Sequence, residues 1–143
     1  YYSKKGEELK RFHVRDGMGV NILLRNGIKT VILSKENSLI VKKWAKEMNV
    51  SSIYSGVKQK EKKLSDICKK FSLKENEIAF IGDDVNDLEL LRVVGFSATP
   101  KDGILQAKNV VDYVCTNKGG NGVFREIADI ILLAQFPKKN KWY

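Results

Sequence analysis

The chain has 143 residues, of which 43% are hydrophobic and 30% charged, with 11 glycines and two prolines. This composition is typical of a soluble globular protein, and the length fits one domain over residues 1–143 with a sizeable core. The net charge of +9 admits a nucleic acid, a membrane surface or an anionic small substrate as partner. Because the excess is lysine scattered over predicted helix surfaces, without arginine–aromatic interleaving, we expect no nucleic-acid partner.

The cysteines and the apolar stretches of the sequence indicate the cellular compartment of the protein. Cys68 and Cys115 form no CxxC pair, which indicates neither a disulfide framework nor a zinc site and favours a reducing cytoplasm. The longest apolar stretch, residues 127–136, is interrupted by Asp129 and is too short to cross a bilayer. We therefore expect a cytoplasmic protein with no membrane partner.

A β-hairpin is predicted at the beginning of the chain. Tyr1-Tyr2 and residues 9–14 could form its two strands around the turn-like sequence Lys4-Lys5-Gly6-Glu7. The first strand is already in progress at Tyr1, and a terminal strand needs a partner for its backbone groups. We therefore expect roughly 20 further residues upstream in the natural protein.

Downstream of the hairpin, short apolar strands alternate with amphipathic helices. Asp16 is expected to cap the first helix, and Asn37 or Ser38 the second. We predict helices at residues 16–26, from 37 or 38, 58–71, 88–94, 102–109 and 123–135, and strands at residues 28–33, 50–54, 78–81, 96–99 and 110–115. This alternation predicts an α/β fold with a mostly parallel sheet covered on both faces.

The most informative stretch is an apolar strand that ends in Gly82-Asp83-Asp84-Val85-Asn86-Asp87. Ligands of open parallel sheets collect at the carboxyl ends of the strands. Adjacent carboxylates repel each other unless a cation neutralises them, and oxygen-only ligands suit Mg2+. The pattern therefore favours a magnesium site, although Asp84 or Asp87 could instead merely cap the next helix.

Two more polar residues lie where strands end. Ser34 follows the strand at residues 28–33, and Lys60 lies in the loop and helix start after residues 50–54. A hydroxyl, an ammonium and a magnesium-type carboxylate pair on one rim could surround a phosphate. Taken singly, Ser34 could be a strand-end hydrogen bonder and Lys60 a surface lysine. Lysines at a helix start oppose the helix dipole, however, so we expect at least one of them to be there for a reason external to the fold.

The order and spacing of these motifs resemble the haloacid dehalogenase superfamily. Within it, the chain is similar over nearly its whole length to the cap-less 3-deoxy-manno-octulosonate-8-phosphate phosphatase group. That group includes sialic-type 9-phosphate phosphatases and the C-terminal domain of some CMP-sialate synthetases. The segments that carry the resemblance are residues 12–17, 55–57 with Lys60, 82–87, and 119–122 with Arg125 and Glu126.

The resemblance implies a single Rossmann-like three-layer domain and a Mg2+-dependent phosphatase that acts on a phosphorylated sugar acid through an aspartyl-phosphate. Ser34 would bind the phosphoryl group, Lys60 would bridge phosphate and nucleophile, and Asp83 would ligate Mg2+ with support from Asp84 and Asp87. The residues implied to face the substrate are His13, Val14, Arg15, Asp16 and Gly17. A homotetramer is implied, in which the hairpin strands pack together.

The segment after the glycine-rich loop is also implicated by the resemblance. Asn121, Arg125 and the basic tail at residues 137–143 would lie on the substrate side. The alternative for this segment is a flexible glycine turn that leads into an ordinary capped helix.

The chain departs from the group's pattern in two places. The opening DxDG motif, which would supply the nucleophile and the general acid–base, is absent, so the sequence as printed should be inactive alone. Where octulosonate-phosphate phosphatases use arginines for the substrate carboxylate, this chain has Asn21, Glu36 and Trp44. Glu36 resembles the sialic-type branch, so the substrate could be an octulosonate 8-phosphate or a sialic-type 9-phosphate.

Two other functions compete with the phosphatase. One is a non-catalytic tetramerisation module like the C-terminal domain of CMP-sialate synthetases. The other is a nucleic-acid binder, which rests on charge alone.

Overall fold

Parallel strand pairs with helices between them make up the computed structural model, which describes residues 1–4 and 6–139. Lys5 of the predicted turn and residues 140–143 of the predicted basic tail lie outside the described residues. In chain order the elements are β1 (Tyr2–Ser3), β2 (Gly6–Glu7), α1 (Val14–Arg25), β3 (Val31–Leu33), α2 (Leu39–Glu47), β4 (Ser52–Tyr54), α3 (Lys60–Phe71), β5 (Ala79–Ile81), α4 (Leu88–Val93), β6 (Phe96–Thr99), α5 (Leu105–Lys108), β7 (Tyr113–Val114) and α6 (Val123–Gln135).

The chain forms two units. The first contains the described residues of Tyr1–Gly56 and Gly120–Tyr143, and the second is Val57–Gly119. Among the described residues, each unit has its own parallel sheet, β3-β4 in the first and β5-β6-β7 in the second. These parallel α/β units and the antiparallel N-terminal hairpin confirm the predicted fold class. A single domain over residues 1–143 stays a prediction.

The core of the first unit lies between α1 and α6. Ile22 and Leu23 of α1 pack with Ala128 and Leu132 of α6, and Leu132 is fully buried. Ala128 and Leu132 are four residues apart and therefore fall on one face of α6, whereas Ile22 and Leu23 are adjacent on α1. This packing joins residues from near the two ends of the described sequence into one unit.

The helix boundaries of the first unit correct one prediction and confirm another. Ser38 caps α2 as expected, with its Oγ accepting a hydrogen bond from Val41 N (3.2 Å). Asp16 does not cap α1, which begins at Val14 with His13 at its N-cap. Asp16 Oδ1 instead accepts from Arg125 N (2.9 Å) in the first turn of α6. The N-cap of α6 is a glycine and has no side chain for this purpose, so α1 supplies the cap.

The hairpin is shorter than predicted. It pairs Tyr2 with Glu7 and Ser3 with Gly6, and the predicted second strand at residues 9–14 is wrong. Phe12 stacks on Trp44, with ring centroids 4.8 Å apart, and Arg11 bonds to the loop after Gly119. These side-chain contacts hold residues 11 and 12 against the unit, so the chain enters α1 without a second long strand.

The second unit packs α3 and α4 with a three-stranded parallel sheet. The register pairs Phe80 with Ser97 and Ala98 with Tyr113. Leu64, Leu90 and Leu91 are buried. β6 and α6 have the predicted bounds, whereas the other predicted strands and α5 are shorter in the structure.

Candidate functional site

The acidic loop, residues 82–87, continues directly from β5. Gly82 N donates to Ala98 O (3.1 Å), which extends the pairing of β5 with β6 by one residue. Asp83 and Asp84 follow and are exposed, and a 3-10 turn, Val85–Asp87, leads into α4. The sequence therefore places both carboxylates just beyond the end of a strand, as predicted.

Asp87 organises this loop from within. Its side chain is buried, and its Oδ2 accepts hydrogen bonds from the backbone N of Asp83 (3.0 Å) and of Asp84 (3.4 Å). Its Oδ1 accepts from Lys60 Nζ at 2.5 Å. Because both oxygens are engaged within the protein, the geometry favours a supporting role for Asp87 rather than direct metal ligation.

Lys60 is the first residue of α3, and it is buried. Its ammonium bonds to Asp87 and lies 6.0 Å from the centre of the Phe80 ring. A cation at a helix start opposes the dipole, and a buried charge requires a partner. Asp87 supplies that partner, which explains why a lysine occupies this position.

Gly82 lets Asp87 approach the loop. A Cβ at residue 82 would lie 2.5 Å from Asp87 Cβ, 2.8 Å from Asp87 Cγ and 2.9 Å from Phe80 Cε1. Real Cβ atoms do not approach so closely, so a side chain here would displace Asp87. The small residue is therefore needed for the hydrogen bonds that shape the loop.

The electrostatics of the acidic loop favour a cation. Partial burial raises the pKa of Asp83, and the neighbouring charges of Asp87 and Asp84 raise it further, whereas Lys60 opposes the shift. The Asp83 side chain still reaches solvent, so an ion could approach it. A carboxylate whose ionisation is disfavoured by like charges gains stability when a cation binds beside it.

The donor set fits the protein's share of a magnesium shell. Within residues 1–4 and 6–139, no group of three or more His, Cys, Asp or Glu side chains converges to hold a metal by itself. Mg2+ keeps several waters and commonly uses one or two protein carboxylates together with substrate phosphate. Asp83 and Asp84 match that requirement.

Ser34 and Glu36 form a turn at the end of β3 in the first unit. Ser34 N donates to Tyr54 O (2.9 Å), which continues the pairing with β4, and Ser34 Oγ accepts from Glu36 N (3.1 Å). The carboxylate of Glu36 accepts from Lys10 Nζ at 3.1 Å. Ser34, whose hydroxyl is predicted to bind phosphate, and Glu36, whose carboxylate is predicted to contact the substrate, are thus neighbours.

Residues 13–17 lie at the start of α1. Val14 and Arg15 are exposed, whereas Gly17 is buried against Trp44 and Met48 of the α2 region. His13 and Asp16 line a cavity of about 230 Å³ whose other lining residues are Arg11, Phe12, Val20, Thr30, Val31, Ile32, Trp44, Val50, Gly120 and Phe124. The substrate contacts predicted for residues 13–17 stay predictions.

The glycine loop before α6 is tied to the α1 region. Gly120 and Gly122 have positive φ angles of 69° and 94°, which glycine adopts without strain. Arg11 Nη2 donates to Asn121 Oδ1 (2.6 Å) and to Gly120 O (3.3 Å). The Nε of Arg125 bonds to both carboxylate oxygens of Asp129, at 2.8 and 3.0 Å. The loop is therefore held by Arg11, which sequence reasoning did not single out.

The structure brings part of the predicted site together. Lys60, Asp83, Asp84 and Asp87 form one cluster in the second unit. The predicted residues of the first unit are His13, Val14, Arg15, Asp16, Gly17, Ser34, Glu36 and Arg125. The convergence of Ser34 with the acidic loop stays a prediction.

A second polar cluster was missed. Glu7, Lys10 and Ser38 join the hairpin to the loop that contains Glu36. Glu7 and Lys10 have opposite charges and lie three residues apart, so the sequence could have indicated that these two side chains form an ion pair. Nothing in the sequence spacing indicates the link from Lys10 to Glu36, because it depends on how the hairpin packs.

Known proteins are similar to this chain over most of its length. The sequence pattern of haloacid dehalogenase-like hydrolases matches residues 25–127. The 3-deoxy-D-manno-octulosonate 8-phosphate phosphatase of Haemophilus influenzae is 36% identical over 135 residues, which are 94% of this chain and 75% of that protein.

Two solved structures are similar in fold as well as in sequence. The cobalt-bound form of the Haemophilus influenzae phosphatase has a TM-score of 0.91 and 36% identity, covering 94% of this chain and 79% of that one. The Moraxella catarrhalis phosphatase, in complex with magnesium, phosphate and KDO, has a TM-score of 0.89 and 37% identity, covering 94% and 77%. From the matched sequence pattern and these similarities, the chain belongs to the haloacid dehalogenase-like hydrolase family.

Proposed function

We propose that this protein is a Mg2+-dependent phosphomonoester hydrolase that acts on a phosphorylated 3-deoxy ulosonic acid. The observation that carries the proposal is the acidic loop, in which buried Asp87 fixes Lys60 and the backbone of Asp83 and Asp84. Family membership supports the reaction class, and the similar proteins from Haemophilus influenzae and Moraxella catarrhalis support the substrate class.

Each residue of the proposed site has a distinct role in binding the metal or the phosphoryl group. Asp83 and Asp84 would hold Mg2+, which supplies positive charge for phosphoryl oxygens when bound. Asp87 keeps the Lys60 ammonium in one place, so that it can neutralise a further oxygen without reorganising. The Ser34 hydroxyl would donate to the phosphoryl group, while Glu36 N already donates to its oxygen.

The proposed reaction forms and then hydrolyses an aspartyl-phosphate, which splits the displacement into two easier steps. The nucleophile and the acid–base would come from a DxD segment, and residues 1–143 contain no Asp-x-Asp sequence. We place that segment upstream of Tyr1 in the natural protein. Two features beside β3 support a neighbouring strand there.

The first supporting feature is the edge of β3, which among the described residues pairs with β4 alone. The second is the mainly apolar 230 Å³ cavity beside it. Thr30 Oγ1 and His13 Nδ1 are buried at its lining and have no hydrogen-bond partner within the described residues. Buried polar groups normally have hydrogen-bond partners. The two unpaired atoms therefore favour a further segment at the edge of β3.

Localisation, assembly and the exact sugar acid belong to the same proposal. The hairpin region exposes Tyr1, Tyr2 and Leu9, which supports its use in a homotetramer. No helix among the described residues has the length and apolar character needed to span a bilayer. We propose a cytoplasmic enzyme whose substrate is octulosonate 8-phosphate or a sialic-type 9-phosphate, with Glu36 favouring the latter.

The test is phosphate release from both sugar acid phosphates by the full protein, including its upstream segment, with and without Mg2+. We expect Mg2+-dependent turnover, and Asp83→Asn should lower it at least about 100-fold by removing a preorganised charge. Glu89→Gln is the matched control, because Glu89 is an exposed carboxylate of α4 paired with Arg92. The control should leave turnover unchanged.

The competing function is a non-catalytic tetramerisation module, which the exposed Tyr1, Tyr2 and Leu9 of the hairpin region also support. A stable tetramer that releases no phosphate from either substrate, despite an intact DxD segment and Mg2+, would support this alternative and overturn the phosphatase.

A further inference from the structure

Lys10 lies between two glutamates at the base of the hairpin. Its Nζ is 2.9 Å from Glu7 Oε1 and 3.1 Å from Glu36 Oε2. The other oxygen of Glu7 accepts a hydrogen bond from Ser38 Oγ, the N-cap of α2. One ammonium therefore joins the hairpin to the loop that begins with Ser34.

The ion pair between Lys10 and Glu36 neutralises charge but adds little to the stability of the fold. The side chains of Lys10 and Glu36 are 33% and 59% exposed, and exposed ion pairs contribute little to stability. Partial burial lowers the pKa of the Lys10 amine, but hydrogen bonds from Lys10 to Glu7 and Glu36 outweigh this effect and raise the pKa. The ammonium thus stays charged across the physiological range and offsets one of two negative charges.

Glu36 is close to the point where the proposed substrate would bind. Its backbone N donates to Ser34 Oγ at 3.1 Å, so its carboxylate belongs to the same short turn as the phosphate-binding hydroxyl. A phosphorylated sugar acid carries negative charge on both its phosphate and its carboxylate. Without a neighbouring cation, Glu7 and Glu36 would repel such a substrate.

We propose that Lys10 is a positioning residue that sets specificity for acidic sugar phosphates, because it holds the Glu36 carboxylate in the Ser34 turn and compensates its charge. This proposal rests on the phosphatase function proposed above. It adds a role for a residue of the hairpin, remote in sequence from the acidic loop.

The test compares Lys10→Met and Lys10→Arg in the full enzyme, with an ulosonic acid phosphate and a neutral sugar phosphate as substrates. For Lys10→Met we expect KM for the acidic substrate to rise roughly 10-fold at low salt, the size of one poorly screened surface charge. The kcat should stay within about twofold, since binding rather than the chemical step is affected. The neutral substrate should be affected less, and added salt should shrink the difference.

One further variant, together with Lys10→Arg, distinguishes an effect of charge from an effect on structure. Glu36→Gln in the Lys10→Met background should restore much of the lost affinity, because it removes the uncompensated carboxylate. Lys10→Arg should resemble the parent, since it keeps the charge. A purely structural role for Lys10 would predict no rescue by Glu36→Gln.

Lys63→Met is the matched control, because Lys63 is 34% exposed and pairs with Asp66, which is 55% exposed. It should leave both KM values unchanged. Equal KM increases for acidic and neutral substrates in Lys10→Met, or no rescue by Glu36→Gln, would overturn the inference and leave the phosphatase intact. A parent enzyme that hydrolyses neither substrate would overturn the phosphatase, and this inference with it.

Discussion

The acidic loop at residues 82–87 and the turn at residues 34–36 are both candidate substrate contacts, but they are held differently. The acidic loop depends on a buried carboxylate, Asp87, which is 1% exposed and bonds to Lys60 and to backbone amides. The turn depends on an exposed ion pair between Lys10 and Glu36 and on the half-buried Glu7, which Lys10 also contacts. A single change should therefore disrupt the first region, whereas the second can change its charge without unfolding.

Their carboxylates also differ in pKa. Burial and the charges of Asp87 and Asp84 raise the pKa of Asp83. Hydrogen bonds from Ser38 and then from Lys10 lower the pKa of Glu7. In the acidic loop the Lys60 ammonium is bonded to Asp87, so Asp83 favours a further cation, whereas the Lys10 ammonium lies beside the carboxylates of both Glu7 and Glu36.

The largest effect on stability is expected at Lys60. Lys60→Met leaves Asp87 buried without its ionic partner, which should lower the free energy of unfolding by about 3–5 kcal/mol. Urea denaturation measures this loss. Lys63→Met, which breaks an exposed ion pair on the same helix, should change stability by less than about 0.5 kcal/mol. Equal losses for the two variants would mean that burial does not distinguish the acidic loop.

A smaller loss is expected at Gly82. Gly82→Ala places a Cβ against Asp87 and Phe80, and such overpacking costs about 1–3 kcal/mol. Thermal and urea denaturation both report it. Gly119→Ala is the control, because a Cβ there meets nothing closer than 3.6 Å. If Gly82→Ala were as stable as Gly119→Ala, the loop would be more adaptable than its buried hydrogen bonds indicate.

On the other side of the comparison, Ser38 is the least exposed polar support of the turn. Ser38→Ala removes the N-cap of α2 and the hydroxyl donor to Glu7, so the free energy of unfolding should fall by about 1 kcal/mol. Ser65→Ala, at an exposed position within α3, should cause no loss. A fall as large as that of Lys60→Met would contradict the view that the turn tolerates change.

The smallest effect is expected in the pH dependence of stability without divalent cations. Since the pKa of Asp83 is raised above its ordinary 3.8, its ionisation disfavours the native state, and stability falls as pH rises from 3.8 through the raised value. Since the pKa of Glu7 is lowered below its ordinary 4.5, its contribution is complete above 4.5 and is lost as pH falls through the lowered value.

Urea denaturation of Asp83→Asn and Glu7→Gln across this range measures both effects. At neutral pH, Asp83→Asn should be more stable than the parent and Glu7→Gln less stable. Both differences should vanish in acid. The same sign for the two variants at neutral pH would show that the two regions do not differ electrostatically as described.

Local sequence features predicted the parts of the fold that local chemistry decides. The strand before Gly82, the cap at Ser38 and the bounds of α6 follow from hydrophobic spacing and capping. A lysine at the start of α3 was noted because it opposes the helix dipole, and in the structure Lys60 pairs with Asp87. The external reason expected for it stays a prediction.

Local sequence features did not predict contacts between residues that are distant in the sequence. Asp16 was expected to cap its own helix, but its carboxylate caps α6, 109 residues further along. Lys10 reaches Glu36 across 26 residues, and Arg11 reaches Asn121 across 110. Such pairs depend on how the hairpin, α1 and α6 pack, so no spacing rule along the sequence indicates them.

The shared cap between α1 and α6 bears on the order in which the protein is made. Residues 57–119 are contiguous, so a ribosome can deliver the whole second unit before α6 has been synthesised. The early helix α1 must wait for α6 to cover Ile22 and Leu23. During synthesis, α1 is therefore complete long before its apolar face can be buried against α6, and a nascent-chain chaperone would have access to that face throughout.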